Sequence, residues 1–364
     1  MPRKTQRLAL TTIKKTAELK SKKALARAPG PVTLHMVAVA AGVSPSTVSR
    51  ILNGTAVVSE LKKKAVEDAV TKLGFVANPV ARGLAGGRTF SIGVVTQAID
   101  SPFYGVALSG IEDALNPAGY SPLFVSGHWN AASEARCLTV LRSRRVDGII
   151  VLTGRLSNQA LRACAKSLPV VVTGRTLKAP GLYALNFDNF EGGLMATRHL
   201  IELGHRRIAF ITGDPAHPDA SERLRGYRTA LDAASIPFDA ALVVPGEYHE
   251  ISGLKAVDQL MASQQKFTAI FAANDQMAFG ATLGLQRYSL RVPEDISVVG
   301  FDDLPTAPYA IPPLSTIRHP AYELGRLAAL AMLQLIAGDT PSADVPAPFL
   351  IARQSSRRFA QQAA

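Results

Sequence analysis

The chain has 364 residues, 47% of them hydrophobic, with 40 Lys+Arg against 28 Asp+Glu and two cysteines. That length and apolar content support two or three domains, and no apolar run approaches the roughly 20 residues a membrane helix needs. The basic N-terminus is not followed by an apolar stretch of about 7–15 residues, so it does not read as a secretory signal, and Cys137 and Cys164 are too few and too far apart for a disulfide framework, so the expected compartment is the cytoplasm.

The positive excess sits in the first quarter of the chain: residues 1–89 carry 16 Lys+Arg and 4 Asp+Glu, whereas residues 90–364 carry 24 of each. A basic module on a neutral body suggests a polyanion-binding head joined to a part with another task. Residues 1–30, with "RKTQR" and "KSKK" but little periodicity, read as a basic, disordered extension. From residue 31 the pattern is helical. Thr33 is placed to cap a helix with Leu34, Val37, Ala38 and Ala41 on one face, and Gly42 to end it. Ser44 caps a second helix and Pro45 suits its first turn. There Val48, Ile51 and Leu52 point inward, which leaves Pro45, Ser46, Ser49 and Arg50 on the other face. A third helix fits Ser59 to about Leu73, with Leu61, Ala65, Val66, Ala69, Val70 and Leu73 apolar. Its first turns hold Lys62, Lys63 and Lys64, at the end where the helix dipole disfavours cations unless an anion is supplied. Two short helices across a Gly-containing turn match helix-turn-helix geometry, in which the second helix enters the major groove. Arg can bond guanine O6 and N7 there, and Ser or Thr can bond bases or phosphates.

The segments "VTLHMVAVAAGVSPSTVSRILNG" and "LGFVANPVARGLAGGRT", followed by "SIGVV", resemble the headpiece, the hinge and the first effector-domain strand of the lactose-repressor (LacI/GalR) family. The resemblance runs from about Val32 to Arg358. It implies an all-α helix-turn-helix headpiece over residues 31–77 and a hinge helix over 78–89. Over residues 90–364 it implies an α/β effector and dimerisation domain of two parallel-sheet subdomains, periplasmic-binding-protein-like. It further implies that Thr47, Ser49 and Arg50 contact DNA, that Pro45 and Ser46 hold variable, specificity-setting positions, and that Asn53 is a further contact. Thr33 and Ser44, at the helix starts, complete the DNA-facing set of the headpiece. Asn78, Ala81 and Leu84 match the hinge helix, where the Leu wedges into the minor groove and kinks the duplex. So short a Gly-containing helix is marginal alone, and its order would depend on DNA and on a dimer partner. Two departures matter. Met36 stands where the family usually has an acidic residue, and Pro45 and Ser46 have little reach, which leaves more of the reading to Arg50 and to DNA shape.

From Ser91 apolar strands alternate with amphipathic helices: "SIGVVT", "YSPLFVS", "DGIIVL", "PVVVTG" and "YALNFD", then "RRIAFITG", "AALVVPG", "TAIFAAN" and "ISVVGFDD". Such near-continuous apolar strands imply parallel sheets covered on both faces, in two runs that repeat an architecture rather than a sequence. Ligands in such folds sit beyond the carboxyl ends of strands. Polar residues collect there: Asp100 with Phe103, Asp188 with Asn189, Asn274 with Asp275, and Asp302 with Asp303. Any one of them could be a helix cap; their recurrence at the same strand end points to a shared site. The resemblance places Arg223 in "SERLRGYRTAL", Tyr248 in "GEYHEISG", Asn274 in "AND" and Asp302 in "GFDD" at effector-contacting positions. In "FDNFEGG", Asp188 and Glu191 compete for an acidic role. Arg and carboxylates fix hydroxyls while aromatic rings cover an apolar face, a set that suits a sugar or sugar acid, although the family also includes a purine-binding member.

One headpiece covers a half-site, so a homodimer on pseudopalindromic double-stranded operator DNA is expected. No leucine heptad follows "FLIARQSSRRFAQQAA", which resembles the family's last strand, and Ser355 and Ser356 read as tail residues. No phosphate loop, nucleophile elbow or dinucleotide fingerprint occurs. His199, His205 and His249 lack metal-ligand spacing, and His205 reads as a capping or packing residue, so neither an enzyme, a cofactor nor a metal is expected. The expected protein is a transcriptional repressor released from its operator by a small-molecule effector, with the sign of that response open. A solute-binding protein without a transcriptional role is the alternative, opposed by the headpiece.

Overall fold

Residues 32–52, 58–75 and 87–359 are described by the computed structural model, and the chain parts into two units between Gly87 and Arg88. In the first unit, helix α1 (Leu34–Ala41) starts at Thr33, whose Oγ1 accepts from the Met36 amide at 3.3 Å. Gly42 closes it in the left-handed region at φ 65°, where a side chain would be strained. Helix α2 (Pro45–Leu52) is capped by Ser44, whose Oγ accepts from the Thr47 amide at 3.1 Å. Helix α3 (Glu60–Leu73) ends at Gly74, and the Phe75 amide bonds back to the Val70 carbonyl, which turns Phe75 onto the core. Val37, Ala38, Val48, Val66 and Ala69 form that core. Leu61, expected on the inner face, is instead 83% exposed, because it lies more than a turn before Val66, the first residue of α3 to be buried. The extension 1–30, Asn53 and the hinge positions Asn78, Ala81 and Leu84 lie outside the described residues.

The second unit holds two sheets. The first runs β2 (Ser121–Ser126), β1 (Ser91–Thr96), β3 (Gly148–Val151), β4 (Val170–Thr173), β5 (Leu182–Leu185), all parallel. The second runs β7 (Val243–Pro245), β6 (Ile208–Thr212), β8 (Ala269–Ala272), β9 (Ser297–Asp302), β10 (Ser315–Arg318), then β11 (Phe349–Ile351), which is antiparallel to β10. Apart from that last strand the two sheets share one order, so the expected architectural repeat is real. Every strand expected from the apolar pattern forms. Strand β10 was not legible, because its Ser315 and Thr316 are buried polar residues rather than an apolar run.

Helices α4 (Pro102–Leu115), α5 (Ala131–Ser143) and α6 (Asn158–Ala165) belong to the first subdomain; α7 (Asn189–Glu202), α8 (Pro218–Ala233), α9 (Glu250–Ala262) and α10 (Asp275–Arg287) belong to the second. Helix α11 (Ala321–Ala337) follows a strand of the second sheet yet packs on the first: Ala328, Ala329 and Met332 share a core with Ile92, Ile150 and Val171. The chain therefore crosses between subdomains at 187–189, at 319–320 and again before β11. The last crossing is tied to β5 by the Tyr183 hydroxyl, which accepts from the Ala343 amide at 2.9 Å.

The chain end corrects another expectation. Ser355 is buried, accepting from the Ser315 amide at 2.7 Å and donating to the Val298 carbonyl at 2.6 Å. Ser356 Oγ lies 2.8 Å from Ser315 Oγ and 2.9 Å from His199 Nε2. These serines stitch the chain end to the second sheet. His205 packs as expected: buried, with its ring nitrogens near Thr268 Oγ1 (2.9 Å) and Ser297 Oγ (3.1 Å).

Candidate ligand cavity and nucleic-acid interface

A cavity of about 460 Å³ lies beyond the carboxyl ends of β1 and β3 on one side and of β6 and β8 on the other. In each sheet these strands flank the point where the order reverses, and the loops leaving them diverge and open a crevice. Ala98, Phe103, Tyr104, Trp129 and Thr153 wall it from the first subdomain. His217, Asp219, Arg223, Tyr248, Asn274 and Asp302 wall it from the second, and Phe187, Asn189 and His319 from the crossings.

Arg223, on α8, is 4% exposed and heavily committed. Its Nε donates to Asn189 Oδ1 at 2.9 Å, Nη1 donates to the Ala273 carbonyl, and Nη2 lies 3.8 Å from Asp302 Oδ1. The guanidinium also lies over the Phe301 ring, 3.7 Å from its centroid. Asn274 caps α10, accepting from the Met277 amide at 2.9 Å, and its Nδ2 donates to the Tyr248 carbonyl at 2.9 Å. That amide thus ties the start of α10 to the loop on which Tyr248 sits with φ 65°. Asp302 turns the chain after β9 at φ 106°, a strained conformation of the kind found at functional sites.

Two aromatic stacks frame the space. His217 lies between Trp129 (centroids 3.7 Å apart, 22° between planes) and Tyr248 (5.4 Å, 7°). Burial, with Arg155 and Arg223 nearby, pushes the His217 imidazole down to about 4 despite Asp214. Trp129 itself has φ 52°, and its amide donates to Oε1 of the buried Gln97 at 2.9 Å. In the second stack His319 lies on Phe187 (3.9 Å, 11°). Burial lowers the His319 pKa, and neither of its ring nitrogens has a hydrogen-bond partner; the Tyr248 hydroxyl is likewise without one. Burial raises the Asp219 pKa, against the pull of Arg223.

Of the positions singled out from sequence, Asp100, Phe103, Arg223, Tyr248, Asn274 and Asp302 are brought together around the cavity. Asp188 and Glu191 are not. Asp188 caps α7 through the Glu191 amide at 2.9 Å, and the Glu191 carboxylate lies 4.0 Å from Arg198. Asn189, between them, faces the cavity and holds Arg223. Sequence reasoning missed Trp129, His217, Asp219 and His319. Two signals were available: Trp129 is the one tryptophan of the chain, and Asp219 stands four residues before Arg223, on the same face of α8.

On the first unit, Pro45, Ser46 and Arg50 of α2 are exposed, and Thr47 and Ser49 are half-buried. Ser44 Oγ lies 2.8 Å from both Ser46 Oγ and Thr47 Oγ1, so three hydroxyls cluster at the start of the helix. Lys62, Lys63 and Lys64 are exposed at the start of α3. Met36 occupies the third residue of α1, where a carboxylate would bond back to the Thr33 amide and complete a capping box. Among the described residues no helix is long and apolar enough to cross a membrane.

The family model described as bacterial regulatory proteins, lacI family, matches residues 33–78, and that of the periplasmic binding protein-like domain matches residues 197–356. The HTH-type transcriptional repressor PurR of Aliivibrio fischeri (strain MJ11) is 34% identical over 308 residues, covering 84% of this chain and 91% of that protein. The transcriptional regulator CelR, solved as its cellobiose complex, is 34% identical with a TM-score of 0.67, covering 89% of this chain and 100% of that one. The lac repressor dimer bound to operator and the anti-inducer ONPF is 29% identical with a TM-score of 0.79, covering 90% and 99%.

Proposed function

The chain belongs to the LacI/GalR family and is a DNA-binding transcriptional repressor; from that premise we propose that a small molecule held in the cavity, a sugar or sugar acid, lowers its affinity for operator DNA. The observation that carries this reading is the cavity itself, which has walls from both subdomains and joins convergent polar groups, Arg223, Asp302 and Tyr248, to stacked rings. Polar groups that orient hydroxyls beside rings that cover an apolar face suit a carbohydrate. The likeness to CelR, whose solved complex contains cellobiose, favours the same class. Ligand acts by differential affinity: it shifts the repressor only insofar as it binds one arrangement of the two subdomains better than another.

On the DNA side, Thr47, Ser49 and Arg50 read the major groove, with Pro45 and Ser46 at the variable positions and Thr33, Ser44 and Asn53 alongside. Asn78, Ala81 and Leu84 form the minor-groove contact. The protein works in the cytoplasm as a homodimer on a pseudopalindrome. The test is fluorescence-anisotropy titration of operator DNA at fixed salt. Arg50→Ala is expected to lose about 1–3 kcal/mol of discrimination at one base pair of each half-site. Addition of the effector should weaken wild-type binding. Unchanged sequence preference in Arg50→Ala would remove the headpiece assignment, and tighter operator binding with effector would reverse the sign of the response.

A further inference from the structure

We infer that the cavity takes an uncharged, hydroxyl-rich ligand and rejects its anionic counterpart, with Asp219 and His319 as the residues that read its hydroxyls. This rests on the carbohydrate reading above and narrows it. The lining is rich in negative charge. Asp219 and Asp302 face the cavity, and Asp100, Glu247 and Glu250 add three exposed carboxylates to its lining. Against these five stands one lining guanidinium, Arg223, whose donors go to Asn189 and Ala273, whose Nη2 lies beside Asp302, and whose face is covered by Phe301. The neighbouring guanidiniums are engaged as well: Arg175 with the Leu156 and Gly154 carbonyls, and Arg155 with Asp214. His217 and His319 are neutral at ordinary pH because both are buried, and His249 is held between the Ser252 amide and Glu247. Among the described residues, a ligand carboxylate or phosphate would therefore meet a carboxylate-rich lining and no uncommitted cation.

The lining also holds unused hydrogen-bond capacity. His319 is 6% exposed, and neither of its ring nitrogens has a hydrogen-bond partner, the nearest carboxylate, Asp302 Oδ1, standing 3.7 Å from Nδ1. The Tyr248 hydroxyl is buried and unpartnered too. Asp219 makes no hydrogen bond or ion pair among the described residues, although burial acts on its carboxylate. Buried polar groups such as His319 and the Tyr248 hydroxyl are costly in this state unless a ligand completes them, and half-buried Asp219 has acceptors to spare. Asp219 offers acceptors only, whereas a neutral imidazole and a phenol each offer a donor and an acceptor. Hydroxyl groups, which both give and accept, match all three; a carboxylate, which only accepts, leaves Asp219 unmatched and adds repulsion.

The experiment is calorimetric and thermal-shift binding to the full-length protein at pH 7.5. The probes are neutral aldoses and disaccharides, each paired with its aldonic or uronic acid, with nucleobases as an outside group. One neutral sugar should bind, and its acid at least about a hundredfold more weakly, as expected for like charges a few ångströms apart in a partly buried site. Asp219→Asn should weaken the neutral sugar about tenfold or more, narrow the gap to the acid, and raise the melting temperature of the ligand-free protein by removing a half-buried carboxylate that makes no ion pair. His319→Gln, which keeps a donor and an acceptor, should retain more affinity than His319→Phe. Operator affinity without ligand reports that each variant is folded. An acid that binds as tightly as its neutral partner overturns the inference and leaves the carbohydrate reading standing. Binding of nucleobases alone, or of no probe, overturns the carbohydrate reading and the inference with it.

Discussion

His217 shows how one side chain links the cavity to stability. Its imidazole is stacked between Trp129 and Tyr248 and buried, so the folded protein holds it near pKa 4 against an ordinary 6.5. The groups that face it are Asp214, which favours the charged form, and Arg155 and Arg223, which oppose it. Because the folded value is depressed, only the unfolded chain takes up a proton as pH falls from 6.5 toward 4. Stability present above 6.5 is therefore lost across that window, by on the order of 3 kcal/mol, and no further through this group below it. Urea unfolding across that pH range should show a steeper acid decline in the wild type than in His217→Phe, which keeps a ring between the other two. Equal slopes would mean that the proton goes elsewhere. Single residues also mark where sequence reading stopped. Asp188 and Asp302 both follow a strand in similar wording, "FDN" and "FDD", yet one is spent on a helix cap and the other faces the cavity. A carboxylate that caps and one that binds look alike until the direction of the next helix is known.

Between elements, the helix pairs are set by glycines at their crossings. A Cβ on Gly110 of α4 would stand 2.1 Å from the Tyr322 carbonyl of α11, and one on Gly325 of α11 would stand 2.0 Å from the Ala107 carbonyl of α4. Gly253 and Gly280 make the corresponding contacts between α9 and α10, at 2.1 Å from the Met277 carbonyl and 1.8 Å from the Glu250 carbonyl. Backbone cannot step aside as a side-chain tip can, so Gly325→Ala should cost about 3 kcal/mol through forced separation of the pair. Gly105→Ala, on the partner helix α4, is the control: nothing lies within 4 Å of its Cβ, so the gain in helix propensity should leave stability equal or higher by up to about 1 kcal/mol. Urea midpoints of the two variants, moving in opposite directions, would establish that the helix contact and not the glycine's flexibility is what matters. The strands were legible because they are apolar and bounded by turns. The destination of α11 was not: its apolar face reads like that of any surface helix, and nothing local says that it packs on the sheet its chain left behind at β5.

Across the second unit, two contacts join the walls of the crevice on the side of Trp129: the Arg155–Asp214 ion pair at 2.5 Å and the Trp129–His217 stack. At the floor, the Phe187–His319 stack pins two of the chain crossings to each other. Any ligand that fills the cavity touches both walls and the crossings between them, which is the physical route by which occupancy can bias their arrangement. The two wall contacts are unequal. The ion pair is more than a third exposed on both sides, and such pairs contribute about 0–1 kcal/mol. The stack is worth about 0.5–1.5 kcal/mol beyond its buried area, and removing the indole also strips the cavity of a wall. Asp214→Asn should therefore lower ligand affinity by less than about fivefold, an effect that high salt erases. Trp129→Ala should lower it by about tenfold or more and weaken the ligand's effect on operator binding, with ligand-free operator affinity unchanged within about twofold. Calorimetry on the two variants at low and high salt separates the contributions. If Asp214→Asn proved the more damaging, the contact between the walls would depend on charge rather than on ring packing.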